Sequence, residues 1–273
     1  MDDFLIDTHC HLDDPLFTAD FDEVMQRSGQ AGVKAIVIPA VEAASFERTM
    51  ACARRIEGGY FALGIHPMYV PMAKPEDLHT LERYLELTLD DPRLVAVGEI
   101  GLDFFMPALR TPELEEKQIF FYNEQLKLAQ KFELPVLLHV RRSQDLILKY
   151  ARRYDAVRGI AHAFNGSFQQ AERFLSFGYK LGMGGAMTFT RAKQIRRLAT
   201  QLPLDAFVLE TDAPDIPPAW LHGSCENPAR NEPCHLARIA ATMAALREIP
   251  VAELISTTGR AAMEVLPRLA LGA

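Results

Sequence analysis

The chain has 273 residues, of which 49% are hydrophobic and 24% charged, a composition typical of a globular protein with a sizeable core. Its net charge of −7 excludes a global basic field that would draw it to nucleic acid or to an anionic membrane. No apolar run approaches the length of a membrane span, and no signal-peptide pattern opens the chain, so we expect neither. Four cysteines without C-x-x-C spacing favour reduced thiols in a cytoplasmic protein.

Short apolar runs alternate with helical segments along the whole chain. At 111–113, for example, a threonine N-cap, a proline in the first helical position and an acidic first turn predict a helix start. A polar, proline-rich loop is predicted at 213–233. Strands are predicted from residue 5 and at 33–39, 60–67, 94–100, 134–140, 158–163, 179–183 and 206–210. Helices are predicted at 20–31, 42–56, 75–89, 112–132, 143–154, 167–177, 191–201, 234–247 and 251–265.

Eight strands, each followed by a helix, predict an α/β fold of the (β/α)₈ TIM-barrel type, as a single domain over residues 1–273. The strands are mostly apolar throughout, as expected when both faces of a parallel sheet are buried. A doubly wound open sheet is the alternative. The first β/α turn lacks G-x-G-x-x-G, and polar residues follow many strands rather than one switch point, so the barrel is favoured.

The first strand leads into two histidines one residue apart, His9 and His11. In an extended chain alternate side chains share a face, so both imidazoles would point the same way and could hold a transition metal. Cys10 would point to the opposite face and pack there. A pair of polar residues where a strand meets a loop is the plainer explanation of the same pattern.

Active sites of such barrels lie at the carboxyl ends of the strands, and polar residues collect there in this chain. A single histidine or carboxylate at a strand end is more often structural, but so many on one rim favour a metal site. Imidazoles and carboxylates without thiolates suit Zn, Mn, Fe or Ni, and Mg less well. Six ligands are too many for one open metal and suit two metals that share a bridging carboxylate. The residues at strand ends are His9, His11, His66, Glu99, Asp103, His139, Arg141, His162, Glu210 and Asp212.

Seven segments between residue 5 and about residue 233 together resemble the TatD family of metal-dependent deoxyribonucleases. The segments are Asp7-Thr8-His9-Cys10-His11-Leu12, Gly64-Ile65-His66-Pro67, Gly98-Glu99-Ile100-Gly101-Leu102-Asp103, His139-Val140-Arg141, His162-Ala163-Phe164-Asn165-Gly166, Glu210-Thr211-Asp212-Ala213-Pro214 and Arg230-Asn231-Glu232-Pro233.

The resemblance implies an amidohydrolase-type barrel with two divalent metal ions. On this basis His9, His11 and Asp212 would hold one metal, and Glu99 would bridge it to the other. The second metal would be held by His139 and His162. The substrate would meet His66, Arg141, Arg230 and Asn231.

The reaction expected is hydrolysis of a phosphodiester in DNA, with Asp212 and Glu99 as the catalytic carboxylates. Asp212 would orient the attacking water as general base. Glu210, two residues earlier, and Asp103 are expected to support ligating histidines from behind. The acidic net charge disfavours long duplex DNA and favours short single strands or 3′ ends. No membrane and no obligate protein partner are expected.

Two other classes of function remain open from the sequence. A binuclear amidohydrolase or lactonase would attack a carbonyl carbon of a small molecule with the same activated water. Many such enzymes bridge their metals with a modified lysine, and no lysine ends a predicted strand here, which favours the nuclease. A non-catalytic binding barrel is disfavoured by the intact ligand set.

Overall fold

The computed structural model describes residues 5–221 and 229–269. Eight parallel strands form one sheet in the order β1 to β8. The strands are β1 Leu5–Asp7, β2 Val33–Pro39, β3 Gly59–Leu63, β4 Leu94–Asp103, β5 Val136–Arg141, β6 Gly159–His162, β7 Tyr179–Met183 and β8 Phe207–Leu209. The helices are α1 Phe21–Gln30, α2 Phe46–Arg55, α3 Pro75–Thr88, α4 Pro112–Lys131, α5 Gln144–Ala151, α6 Phe168–Ser176, α7 Lys193–Gln201, α8 Leu236–Arg247 and α9 Val251–Val265.

Backbone hydrogen bonds just beyond β1 and β8 bring the two ends of the sheet together. Thr8 N donates to Leu209 O at 3.0 Å, and Asp212 N donates to His9 O at 2.8 Å. The sheet therefore curves into a nearly closed barrel with helices between successive strands. The predicted (β/α)₈ TIM barrel is confirmed, and the open sheet is excluded.

The strands are shorter or longer than predicted at three places that matter for the site. β1 ends at Asp7, so His9 and His11 lie beyond the strand, and the strict alternation assumed for them does not apply. β3 ends at Leu63, which places His66 in the following loop. β4 continues to Asp103, so that Glu99 lies within a strand rather than at its end.

Burial explains the apolar strands and locates the core. In β2 to β4 nearly every side chain is buried, because one face packs against helices and the other fills the barrel. Residues from the strand starts, such as Ile6 and Ile160, share a buried cluster with Ala262 and Leu266, at and just beyond the end of α9. The opposite end, where the strands finish, is left to polar side chains.

The start of α4 follows the sequence signals closely. Thr111 accepts a hydrogen bond from Leu114 N at 3.3 Å, and Pro112 occupies the first helical position. Among the helices in the described ranges, none is long and apolar enough to cross a bilayer. Cys10, Cys52 and Cys234 are free thiols, whereas Cys225 and part of the predicted 213–233 loop lie outside the described residues.

Candidate metal centre

Seven side chains converge at the carboxyl end of the barrel, and we call them the donor cluster. Each comes from a strand or from the first residues after one, so the barrel itself fixes their backbones. His11 and His139 are partly exposed, and the other five are buried. The donor cluster consists of His9, His11, His66, Glu99, His139, His162 and Asp212.

Glu99 lies at the middle of the donor cluster and is 1% exposed. Its Oε2 is 3.0 Å from His9 Nε2 and 3.5 Å from His11 Nε2. Its Oε1 is 2.9 Å from His139 Nδ1 and 3.4 Å from His66 Nε2. The two oxygens of one carboxylate therefore face two separate pairs of imidazoles.

Asp212 is the second carboxylate of the donor cluster and spans it in the same way. Its Oδ1 is 3.7 Å from His9 Nε2 and 3.6 Å from His11 Nε2, while its Oδ2 is 3.8 Å from His162 Nε2. Burial raises the pKa of Asp212 to about 6, although His162 and His11 favour its charged form.

The grouping of the histidines differs from the one that the family resemblance implied. His162 stacks on His9 with ring centroids 3.8 Å apart, and its Nε2 is 3.8 Å from both Asp212 Oδ2 and Glu99 Oε1, so it lies between the two groups. The neighbour of His139 is His66, whose Nε2 is 3.0 Å from His139 Nδ1. His66 was expected only to line the substrate pocket; it is 7% exposed and can offer a ligand atom beside Glu99 and His139.

The chemistry of the donor cluster fits divalent cations. The Nε2 atoms of His9 and His11 face each other at 3.4 Å, an arrangement that is favourable only with a proton or a cation between them. Burial opposes charge on Glu99, yet the surrounding histidines hold its pKa well below the ordinary value. The ligand atoms of each possible group lie within 4.8 Å of one another. Positive charge is thus stabilised where the donors meet.

Two further carboxylates contact histidines of the donor cluster from outside. Asp103 Oδ2 lies 3.1 Å from His139 Nε2. Glu210 Oε1 lies 3.3 Å from His162 Nδ1 and accepts a hydrogen bond from Ala163 N at 2.6 Å. Gly182 leaves room for this side chain, because a Cβ there would overlap the Glu210 carboxylate. Both contacts are of the kind that fixes the orientation of a ligating histidine.

Asp7 and Thr211 form a buried link that sequence reasoning missed. Asp7 accepts hydrogen bonds from Thr211 Oγ1 at 2.6 Å, from Thr211 N at 2.9 Å and from His9 N at 3.3 Å. The link ties the segment after β1 to the segment after β8, which carry His9 and Asp212. Both residues belong to the motifs given above, so the sequence pointed to each of them. It did not show that they contact each other across the barrel.

We expect Asp7→Asn to change how stability depends on pH in the metal-free protein. Burial raises the pKa of Asp7 to about 7, so the folded protein binds a proton that the unfolded chain releases near pH 4. Wild-type stability should therefore fall as pH rises from about 4 to about 7. The variant should lack this contribution. Between pH 4 and pH 7 its free energy of unfolding, measured with urea, should therefore rise by roughly 2–4 kcal/mol relative to that of wild type.

Asp22→Asn is the matched control for that comparison, because the Asp22 side chain is 82% exposed. A stability difference between wild type and Asp7→Asn that stays constant from pH 4 to pH 8 would contradict the prediction.

Two predicted substrate contacts are instead bonded within the protein. The Arg230 guanidinium contacts Asp20 at 2.6 and 2.8 Å, Glu232 at 2.7 Å and Leu16 O at 2.8 Å. Its cation also lies 5.0 Å from the Phe17 ring centroid. The guanidinium that was expected to meet a phosphate is thus held by two carboxylates in this structure.

Asn231 is fully buried and stabilises the loop after β8. Its Nδ2 donates to the carbonyls of Thr211, Asp215 and Ile216 at 2.8 to 3.3 Å, and its Oδ1 accepts from Glu232 N at 2.9 Å. Between these carbonyls Asp212 has a φ of 57°, in the left-handed region that few residues other than glycine adopt. Asn231 therefore holds the backbone of Asp212 rather than a substrate.

Known proteins are similar to this chain over most of its length. A family model described as TatD related DNase matches residues 6–267. The chain belongs to the TatD-related DNase family. The predicted family and the predicted class of enzyme, a metal-dependent hydrolase of the deoxyribonuclease type, are thereby confirmed.

Three relatives of this TatD-family chain illustrate the range of the similarity. The metal-dependent hydrolase YjjV of Escherichia coli K12 is 44% identical over 91% of this chain and 92% of its own. The crystal structure of YjjV superposes with a TM-score of 0.86 over 96% of this chain and 98% of that one, at 41% identity. Human deoxyribonuclease TATDN3 is 32% identical over 97% of this chain and 95% of its own. The 3′-5′ ssDNA/RNA exonuclease TatD of Erwinia amylovora is 30% identical over 93% and 96%, respectively.

Proposed function

We propose that this TatD-family enzyme removes nucleotides from the 3′ end of short single-stranded DNA with two divalent metal ions. The observation that carries the proposal is the position of Glu99, whose two oxygens face two separate pairs of histidines. A single metal would not need this arrangement, whereas two neighbouring metals share a carboxylate in many phosphodiester hydrolases.

The residues of the donor cluster divide into two sites on this proposal. His9, His11 and Asp212 hold one ion, and His139 with His66 holds the other, with Glu99 between them. His162 faces Asp212 Oδ2 from the side opposite His11 and completes the ligand set. Bound ions would supply an acidified water and positive charge for the phosphate oxygens.

The chain's own side chains would position the phosphate and move one proton. Asp212 accepts the proton of the attacking water on the oxygen that is not engaged as a ligand. Arg141, 45% exposed at the rim and 3.7 Å from Asp103, donates hydrogen bonds to the phosphate. Asp103 keeps that guanidinium close to His139.

The preference for strand ends follows from charge. The net charge of −7 gives little general attraction for a duplex, which needs many phosphate contacts to bind tightly. A 3′ end needs only the local positive charge of the site. The Erwinia amylovora relative is named a 3′-5′ ssDNA/RNA exonuclease, which supports the same substrate.

The proposal is tested with purified protein that is stripped of metal and reloaded separately with Zn, Mn, Mg, Fe or Ni. A single-stranded 12-mer labelled at its 5′ end should shorten one nucleotide at a time, and a blocked 3′ end should prevent this. Metal analysis should find two ions per chain in the active form. Opening of lactones or amides without release of any nucleotide, with every metal, would reject the nuclease in favour of a small-molecule amidohydrolase.

A further inference from the structure

Two guanidinium groups contact a partly exposed aromatic ring on the rim beside the donor cluster. Phe105 follows β4 and is 40% exposed. The Arg141 Cζ is 3.9 Å from the centroid of its ring, and the Arg142 Cζ is 4.8 Å from it. We call these three residues the Phe105 subsite.

Asp103 connects the Phe105 subsite directly to the donor cluster. Its Oδ1 accepts hydrogen bonds from Phe105 N at 2.8 Å and from Met106 N at 3.1 Å. Its Oδ2 is 3.1 Å from His139 Nε2 and 3.7 Å from Arg141 Nη1. A single carboxylate therefore sets the distance between the aromatic ring and the histidine at the metal centre.

The charges of the subsite are not balanced by the protein. Arg141 and Arg142 both lie against one ring, where their like charges repel each other. Asp103 contacts Arg141 only, and no carboxylate within the described parts of the chain forms an ion pair with Arg142. Arg142 also has a φ of 54°, a left-handed conformation that an arginine adopts at some cost in free energy. An anion that contacts both guanidinium groups would relieve the repulsion.

We propose that the Phe105 subsite binds the nucleotide next to the cleaved bond, with its base stacked on the exposed part of the Phe105 ring and its phosphate held by Arg141 and Arg142. The proposal rests on the nuclease function proposed above and adds the residue that recognises the strand. Aromatic rings stack equally on all bases, and arginines contact the backbone, so the subsite is tolerant of sequence. Bases within a duplex are already stacked, so the subsite selects single strands and frayed ends.

The central test is Phe105→Ala, which keeps the backbone N–H that donates to Asp103. We expect the KM for a dT decamer to rise about 5- to 50-fold with kcat within about threefold, since loss of one stacked base weakens binding by this order. Turnover of methyl p-nitrophenyl phosphate and metal content should not change. Phe105→Tyr should restore the wild-type KM.

An abasic strand separates stacking from other effects of the substitution. With the base removed from the penultimate nucleotide, wild type and Phe105→Ala should show the same KM. Phe120→Ala is the matched control, because Phe120 is 46% exposed on α4. A decamer KM unchanged by Phe105→Ala, or raised equally on the abasic strand, would overturn the proposal.

The arginine part of the proposal has its own test. Arg142→Ala should raise the decamer KM about 3- to 10-fold at low salt and reduce the dependence of KM on salt concentration. Arg153→Ala is the control, since Arg153 is also exposed against an aromatic ring, 4.9 Å from Tyr150, but follows α5 at the far end of the barrel. An unchanged salt dependence in Arg142→Ala would remove Arg142 from the subsite.

Failure of the nuclease function can be told apart from failure of the subsite. Binding of a labelled dT decamer to metal-loaded protein, followed by fluorescence anisotropy, does not require cleavage. Binding that Phe105→Ala weakens, without release of nucleotides by wild type, would reject the nuclease and keep the subsite. Cleavage by wild type that Phe105→Ala leaves unaltered would keep the nuclease and reject the subsite.

Discussion

Glu99→Gln is expected to lower the metal content from about two ions per chain to below one and to reduce hydrolysis of DNA roughly a thousandfold or more. The amide keeps the size of the side chain but loses the negative charge that attracts both ions. The amide nitrogen cannot act as a metal ligand. Whichever way the amide turns, only one of the two metal sites would keep an oxygen ligand from this side chain. Metal analysis by mass spectrometry and single-turnover cleavage of a labelled decamer measure the two effects.

Glu264→Gln is the matched control, because the Glu264 side chain is 70% exposed on α9 and pairs only with Lys180 among the described residues. Circular dichroism should show the same secondary structure in both variants, since Glu99 is held by histidines rather than by the apolar core. Two tightly bound ions in Glu99→Gln would contradict the bridging role and would require another residue to join the sites.

Asp212→Asn is expected to reduce kcat about 10²- to 10⁴-fold at saturating metal, the range over which a general base contributes. The amide oxygen can still serve as a weak ligand, but the side chain can no longer accept a proton from the attacking water. KM should change little, because the proposed contacts with the strand lie in the Phe105 subsite. Steady-state kinetics at several metal concentrations separate weaker metal binding from slower chemistry.

Asp215→Asn serves as the control for this variant, being an exposed aspartate three residues further along the same loop. If Asp212→Asn retained more than a tenth of wild-type kcat once metal was saturating, Asp212 would be a ligand without a role in proton transfer. The two carboxylate variants thus differ in their response to excess metal. Excess metal should restore part of the activity of Glu99→Gln, and none of the activity of Asp212→Asn.

The barrel and the membership of the donor cluster follow from features that are local in the sequence. Each strand is a short apolar run, each helix carries a buried face, and the polar residues occupy the strand ends. Because parallel strands of a barrel all finish on one rim, residues as far apart as His9 and Asp212 can be assigned to one site without any knowledge of their contacts. The chemistry of metal ligation then follows from the residue types alone.

The pairings within the site were decided by the tertiary structure. His66 approaches His139, and His162 stacks on His9, because positions around the barrel and side-chain rotamers set these distances. Neither the position around the barrel nor the rotamer can be read from the local hydrophobic pattern of the sequence. The same holds for the link between Asp7 and Thr211, which exists only because the barrel closes.

Arg230 shows the limit of motif reasoning most clearly. Within its motif the arginine has the residue type that a phosphate contact requires, but Asp20, 210 positions earlier, holds the guanidinium in an ion pair. Conversely, Phe105 carries no motif signal of its own, and its contacts with Arg141 and Arg142 are seen only in the folded protein. The sequence by itself determined the fold and which residues gather at the strand ends, since both depend on residue type and order. Charge pairing and exposure at the rim depend on distances between loops, which only the folded barrel defines.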